Sequence, residues 1–368
     1  MIEPLPFKKS APFTLGVELE LQLVDSETME LIRRAPQLLQ AVEPSLQAQI
    51  KPEFIQSMVE ICTPVCEDVT EVADNVHTLC RYVENLAFNC GCLLYSSSLH
   101  PFARIHDRQI STLARYHEIM DDLQLAGRRM ITQALHVHVG MPDRETAIAV
   151  CDGIRLYLPV LLSLTTSSPF LEHEDTGMYS YRSNLFRGLP RTGIPETLGS
   201  WQYFENLIGI LNEGSLLSGV KELWWDVRPH PDFGTVEIRI CDLPSNFDEI
   251  IAVVAFIQAI AAMVAEQGGV GHPPLEIMQQ NRWHAGRYGL SGIYISKDSG
   301  RHVTFTRAAA DLLAAVSKYA AKLGVSSYLT PINKILEQGT SAARQRELYK
   351  KHGNLQDVVR IIQGDFWK

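Results

Sequence analysis

The sequence predicts an α+β fold in which a mainly antiparallel sheet is backed by long helices, and three observations predict it. Thr14 to Asp25, TLGVELELQLVD, alternates Leu15, Val17, Leu19, Leu21 and Leu23 with Gly16, Glu18, Glu20 and Gln22, the period of a strand with one dry face. Leu223 to His230 and Thr235 to Asp242 read as two strands joined by Pro231-Asp232-Phe233-Gly234, residues that suit a hairpin turn. Between the alternating stretches lie long segments of helical spacing, several apolar enough to be packed deep.

In chain order, Ala35 to Val42 reads as a short helix with Pro36 near its first turn. IKPEFIQSMVEICTP follows as a second strand stopped by Pro64, with Gln56, Met58, Glu60 and Cys62 on one face and Ile55, Val59 and Ile61 on the other. Glu53 has the opposite parity and joins Glu60 only if a bend or bulge separates them. Glu67 to Cys90 has helical spacing, with Asp68 and Thr70 as cap chemistry. Leu93 to Ser98 is a strand, Asp107 to Leu125 a helix, and TQALHVHVGMP a strand carrying His136, His138 and Gly140 on one face. Arg144 to Leu164 is an apolar helix.

From Thr165 to Gly199 the composition shifts to Ser, Thr, Gly, Pro and Arg. A loop of this length in a compact enzyme is commonly a lid or a binding loop. Arg182, Arg187 and Arg191 give it fixed positive charge and are the candidate substrate-binding residues, with a solvated loop as the plainer alternative. Trp201 to Leu211 resumes a helix, and Phe247 to Val264 is a long apolar helix capped by Ser245 or Asn246. Beyond Gly268 the pattern is helical, interrupted at Gly286 to Asp298 and near Gly324 and Gly339, and Arg287 reads as a surface arginine in a loop.

The chain has 368 residues, 46% of them hydrophobic, enough for one large domain or two intimately packed halves. Its net charge of −9 is spread without blocks, and no Lys/Arg run appears, which argues against nucleic acid as a partner. The N-terminus lacks the apolar core of a signal peptide, and no apolar run is read as a membrane span, so a cytoplasmic protein is expected. Seven scattered cysteines fit reduced, buried thiols rather than a zinc pattern.

The polar residues that interrupt apolar strands are Glu18 and Glu20, Glu60 with Glu53 conditionally, His136 and His138, and Glu237 and Arg239. Glu18 and Glu20 share a face about 7 Å apart. If the four faces converge they form an acidic floor with one imidazole and one guanidinium, and several carboxylates ionised together at low dielectric require cations. Oxygen-dominated ligation selects Mg²⁺ or Mn²⁺. Such ions escort polyphosphates, so metal-dependent use of ATP follows, with phosphoryl transfer as the chemistry and an arginine to meet the developing charge. Two other readings stand beside it: a metal-dependent hydrolase, because His136-Val137-His138 imitates the HxH of amidohydrolase sites, and a non-catalytic nucleotide-binding protein.

GVELEL at Gly16 to Leu21, KPEFIQSMVEICTP, HVHVG at His136 to Gly140, SYRSNLFRGLPRTGIP and TVEIRICD together resemble the bacterial carboxylate-amine ligases called type-2 glutamate-cysteine ligases, relatives of glutamine synthetase in fold. The likeness begins near residue 10 and runs on in order. It implies a single catalytic domain over 1–368, with 165–199 as lid or substrate loop, and a curved antiparallel sheet forming an active-site funnel with helices on its outer face. By resemblance Glu18, Glu20, Glu53, Glu60, His138 and Glu237 match metal-ligating positions, Glu60 and Arg239 match positions at the ATP, and Arg239 with Glu237 carries catalysis. It further implies amide formation through an acyl phosphate, with weak glutamate-cysteine ligase activity, small-molecule amino-acid substrates and ATP as partners, neither nucleic acid nor membrane, and a homodimer.

Overall fold

A computed structural model describes residues 5–104, 109–268, 273–296 and 302–368. Its centre is β1, Leu15–Asp25. Around it lie β2 (Ile50–Pro52), β3 (Met58–Cys62), β4 (Cys92–Tyr95), β5 (Leu135–Gly140), β6 (Val227–His230) and β7 (Thr235–Ile238). The strands run in the order β6-β7-β5-β1-β3-β2, with β4 pairing the far half of β1, and every pairing is antiparallel. The sheet does not close on itself.

The alternation in β1 sets the orientation of everything else. Leu15, Val17, Leu19, Leu21 and Leu23 are each at most 1% exposed. They pack towards helices Val69–Asn89, Arg144–Ile154 and Phe247–Gln267, which form the layer behind the sheet. Five such side chains contribute roughly 10 kcal/mol as an upper estimate. A slip of one residue would turn all five to the other face and bring Glu18 and Glu20 into the core, so the register is strongly fixed.

Several boundaries differ from the sequence expectation. The stretch read as one second strand is a hairpin, β2 and β3, with Lys51 opposite Glu60. Leu93 to Ser98 narrows to β4, and the strand Leu223 to His230 divides at Asp226 into Trp224–Trp225 and β6. The pairing of β7 stops at Ile238, because the backbone N–H groups of Arg239 and Ile240 turn to the carbonyl of Asp226 at 2.8 and 3.2 Å. Arg144 to Leu164 is two helices, Arg144–Ile154 and Leu158–Thr165, bent by 63° where Pro159 starts the second. The helix expected from Asp107 spans Ala114–Arg128, and Asp107 itself lies outside the described residues. Arg287 sits in the last turn of helix Leu275–Tyr288 and donates to the carbonyl of Gly177; Lys297 and Asp298, at the end of the expected interruption, lie outside the described residues. Helix Phe247–Gln267 is long and apolar enough for a membrane span, contrary to the sequence reading, but it is the buried core helix of this fold.

The expected hairpin turn is present between β6 and β7. Gly234 ends it at φ +64°, and a Cβ there would collide with the backbone carbonyl of Lys8, so both conformation and space call for glycine. Asp68 and Asn246 cap their helices, accepting from the backbone N–H of Glu71 at 2.9 Å and Glu249 at 3.2 Å.

Candidate active site on the polar face of the sheet

Pairing across β1 places the strand-interrupting residues side by side. Glu18 lies opposite Cys62 on β3 and His136 on β5, and Glu20 lies opposite Glu60. Gly16 faces His138, His138 faces Glu237 on β7, and Glu237 faces Arg228 on β6. Antiparallel partners directly opposite project to the same face. The parity argument is therefore realised as one continuous polar surface.

Glu18 is the shared member. One carboxylate oxygen is 3.1 Å from Nδ1 of His136, and the other is 3.5 Å from Nε2 of His138. Ligand atoms of Glu18, His138 and Glu237 all lie within 4.8 Å of one another, and so do those of Glu18, Glu60 and Cys62. Thus Glu18, Glu60 and Glu237 are gathered into one site. Glu53, whose parity was wrong for a single strand, reaches it because the chain turns between β2 and β3; its carboxylate accepts from the hydroxyl of Tyr116 at 2.8 Å.

The expected balance of one imidazole and one guanidinium was too sparse. Both His136 and His138 face the cluster. Glu237, 1% exposed, accepts from Arg228 through Nε at 2.7 Å and Nη2 at 3.3 Å, and also from Arg239. Burial opposes its charge, yet Arg228 and Arg239 hold its carboxyl well below the ordinary range. Glu18 is likewise opposed by burial but held low by its bond to His136 and by the imidazole of His138 beside it. The acids on the β2–β3 side go the other way. Burial and then Glu53 raise Glu20, burial raises Glu53, and burial with Glu18 and Glu53 pushes Glu60 up to about 8.

These observations test whether a divalent cation fits. Nε2 of His138 is buried with no hydrogen-bond partner, while its Nδ1 is fixed by the Thr235 hydroxyl at 2.9 Å. A ring nitrogen held this way, facing two carboxylates, has the form of a metal ligand with its outer partner in place. His136 instead directs Nδ1 to Glu18, and burial with Arg239 drops its pKa to about 4. A cation would relieve the carboxyls held above their range. Carboxylate oxygens with one imidazole nitrogen suit Mg²⁺ or Mn²⁺.

Two cavities flank the carboxylates. The narrower, about 160 Å³, is lined by Glu20, Glu53, His136, Arg182 and Arg239 against apolar walls that include Phe54, Tyr116 and Trp224. The wider, about 440 Å³, is lined by Gly16, Glu18, Lys51, Cys62, His138 and Thr235. Gly16 carries no side chain and so keeps the floor beside His138 open.

The 165–199 stretch carries regular structure. It holds short strands and helix Tyr181–Phe186, and buried Asp242 ties it to the end of β7 by accepting from Ser167 N at 2.9 Å, Ser168 Oγ at 2.8 Å and Ser180 Oγ at 2.9 Å. Arg182 is thereby lodged beneath the site, donating to the carbonyls of Ile240 and Arg239 at 3.1 Å each. Arg187 and Arg191 line a different cavity, about 280 Å³, with Arg282 and Trp283. Arg191 is further engaged by the Leu216 carbonyl at 2.9 Å. The three loop arginines therefore do not converge on one cavity.

Sequence reasoning missed Arg228, Asp226, Asp242 and Tyr116. Arg228 is a charged residue within β6 just as Glu237 is within β7, so the same logic could have found it. Asp226 binds Arg282, with Nε to Oδ2 at 2.5 Å, a pairing across 56 positions for which no local signal exists.

Comparison with known proteins bears on the family and the fold. The model of the family described as glutamate-cysteine ligase family 2 matches residues 14–360. A protein of Gloeobacter violaceus named "Putative glutamate--cysteine ligase 2" is 38% identical over 367 residues, covering 98% of each chain. Another of that name from Herpetosiphon aurantiacus is 38% identical over 356 residues, covering 95% of this chain and 91% of its own. Among solved structures, a glutamate–cysteine ligase of Francisella tularensis in complex with AMP superposes with a TM-score of 0.71 at 13% identity, covering 98% of this chain and 90% of that one. A bifunctional glutathione synthetase from Pasteurella multocida gives 0.69 at 13% identity, covering 96% of this chain and 52% of its own. At such identities these two structures speak for the fold alone.

Proposed function

Because the chain belongs to glutamate-cysteine ligase family 2, we propose that it is an ATP-dependent carboxylate-amine ligase, with weak activity for joining L-glutamate and L-cysteine into γ-glutamylcysteine. The observation that carries this reading is Glu18 shared between two donor groups, with cavities of unequal size on either side. Glu18, Glu20, Glu53, Glu60, His138 and Glu237 would hold Mg²⁺ or Mn²⁺, which when bound neutralises phosphate oxygens as charge moves during transfer.

This chain's own residues supply the rest. The wider cavity suits the nucleotide and the narrower one the carboxylate donor, so the two meet over the row of acids. An oxygen of the donor carboxylate attacks the γ-phosphorus as the bond to ADP breaks, giving an acyl phosphate. The amine then attacks the acyl carbon, loses a proton, and expels phosphate that keeps the donor's oxygen. Arg239 is partly exposed to the narrower cavity and is the guanidinium placed to meet charge on the transferred group. Glu237 and Arg228 fix its position. Arg182, with Arg187 and Arg191 further out, is assigned to substrate carboxylates. The whole chain acts as one catalytic domain, with 165–199 as its substrate loop. Operation in the cytoplasm is supported by seven cysteines that are all unpaired, and assembly as a homodimer is part of the proposal, to be tested by light scattering.

The test is ADP release with Mg²⁺ across pairs of carboxylates and amines, glutamate and cysteine included, using donor labelled with ¹⁸O at its carboxylate. Label arriving in inorganic phosphate is expected. Turnover of an amide without ATP, or phosphate free of label, would sink the proposal.

A further inference from the structure

Lys51 ends up in an unusual position for a lysine. It stands in the middle of β2 directly opposite Glu60, yet among the described residues its ammonium turns to Cys62 and not to that carboxylate. Its ammonium has three donors, and its one hydrogen-bond partner among the described residues is Sγ of Cys62 at 3.2 Å. A thiol sulfur is a weak acceptor, so this half-buried charge is poorly satisfied by the protein. Lys51 lines the wider cavity together with Glu18, Thr63, His138 and Thr235. His138 contributes a second group to the same space, its buried Nε2, which makes no hydrogen bond and stands 3.5 Å from a Glu18 oxygen.

We propose that Lys51 is a nucleotide-binding residue whose ammonium group receives oxygens of the polyphosphate in the wider cavity. The proposal rests on the ligase reading above and adds a residue to it. A phosphate supplies the strong acceptors that Cys62 does not, and a lysine serves as a point charge for such a group. Cys62 has a positioning part: its sulfur steers the ammonium without the competing negative charge that an aspartate at that place would bring. A mere counterion for Glu60 and Glu18 would behave differently. Its loss would alter stability and metal affinity without distinguishing nucleotides by their phosphates.

The experiment is calorimetric binding of ADP, AMP and adenosine to the full chain at saturating Mg²⁺, for wild type, Lys51→Met and Lys51→Arg. A charge-assisted hydrogen bond of this kind corresponds to roughly 10- to 100-fold in affinity. Lys51→Met is expected to weaken ADP by that factor while adenosine changes less than about twofold, and Lys51→Arg is expected to recover most of the loss. If circular dichroism shows Lys51→Met to be misfolded, Lys51→Gln carries the same comparison. ADP affinity within about twofold of wild type, or an equal loss for adenosine, overturns the assignment of Lys51 alone. A wild-type chain that binds neither Mg-ADP nor Mg-ATP overturns the ligase reading and this inference with it.

Discussion

Replacing Glu237 with glutamine preserves shape and removes one charge at the most tightly paired point of the site. The carboxylate accepts from Arg228 at 2.7 and 3.3 Å and from Arg239, all beneath a surface that leaves it 1% exposed. Glutamine offers one oxygen where two stood, and its NH₂ group faces guanidinium donors. Removing one partner of a buried ion pair costs about 3–5 kcal/mol, set against a total stability of about 5–15 kcal/mol. Glu237→Gln is therefore expected to stay folded at 25 °C but to unfold at clearly lower urea. ADP formation should slow by at least about 100-fold, the scale for losing one preorganised electrostatic contributor. Both quantities come from one preparation, by urea titration followed by circular dichroism and by coupled ADP assay. Stability within about 1 kcal/mol of wild type, together with turnover within about tenfold, would refute the account of Glu237 as the anchor of Arg239 and part of the site.

Saturating Mg²⁺ or Mn²⁺ at about 100 times its Kd should stabilise the wild type by about 2.7 kcal/mol against thermal unfolding; His138→Ala should lose most of this, and an undiminished shift would remove His138 from the ligand set. His100 is buried and neutral, with Nδ1 accepting from the backbone N–H groups of Phe102 at 3.3 Å and Ala103 at 3.0 Å, and burial drops its pKa to about 4. Because the unfolded value is higher, about 6.5, the unfolded chain takes up a proton first as pH falls, and about 3 kcal/mol of stability disappears between those two values. His100→Gln should flatten the stability profile by about one proton in that window, and an unchanged slope would count against the neutral buried ring. Asp242→Asn should cost about 3 kcal/mol by weakening the three bonds that tether Ser167, Ser168 and Ser180, as measured by urea unfolding, and should raise KM for substrate more than wild-type stability alone predicts. Gly234→Ala should destabilise by about 1–3 kcal/mol through its left-handed φ and the Lys8 carbonyl; a neutral result would mean that the turn is not fixed there.

The legible part of this molecule was what alternation encodes. Parity in Thr14 to Asp25 placed Glu18 and Glu20 on the polar face, and the same rule assigned His136 with His138 and Glu237 with Arg239. Convergence of these strands followed from their being neighbours in one sheet. What parity cannot encode is where a strand ends. Glu53 looked misplaced because IKPEFIQSMVEICTP was read as one strand, when the turn between β2 and β3 resets the count. Arg182, Arg187 and Arg191 looked like one patch because they are close in sequence. Helix Tyr181–Phe186 and the tether to Asp242 send Arg182 inward and leave the other two facing a second cavity. Parity left His136 and His138 equal, and the preference for His138 came from the resemblance; the coordinates add that its Nε2 makes no hydrogen bond, with Glu18 3.5 Å away. The anchoring pairs Arg228–Glu237 and Arg282–Asp226 balance charge inside the fold, and the second spans distant segments that no periodicity connects.

Glu18 has only two oxygens, and each looks toward a different group of neighbours: His138 with Glu237 on one hand, His136 on the other, with Glu60 and Cys62 within reach across the next strand. Any rotation of that one side chain is felt in both directions at once. The halves of the cleft are thus geared together through that one side chain. Glu60 and Glu237 each belong to one half, whereas a change at Glu18 disconnects the gear itself.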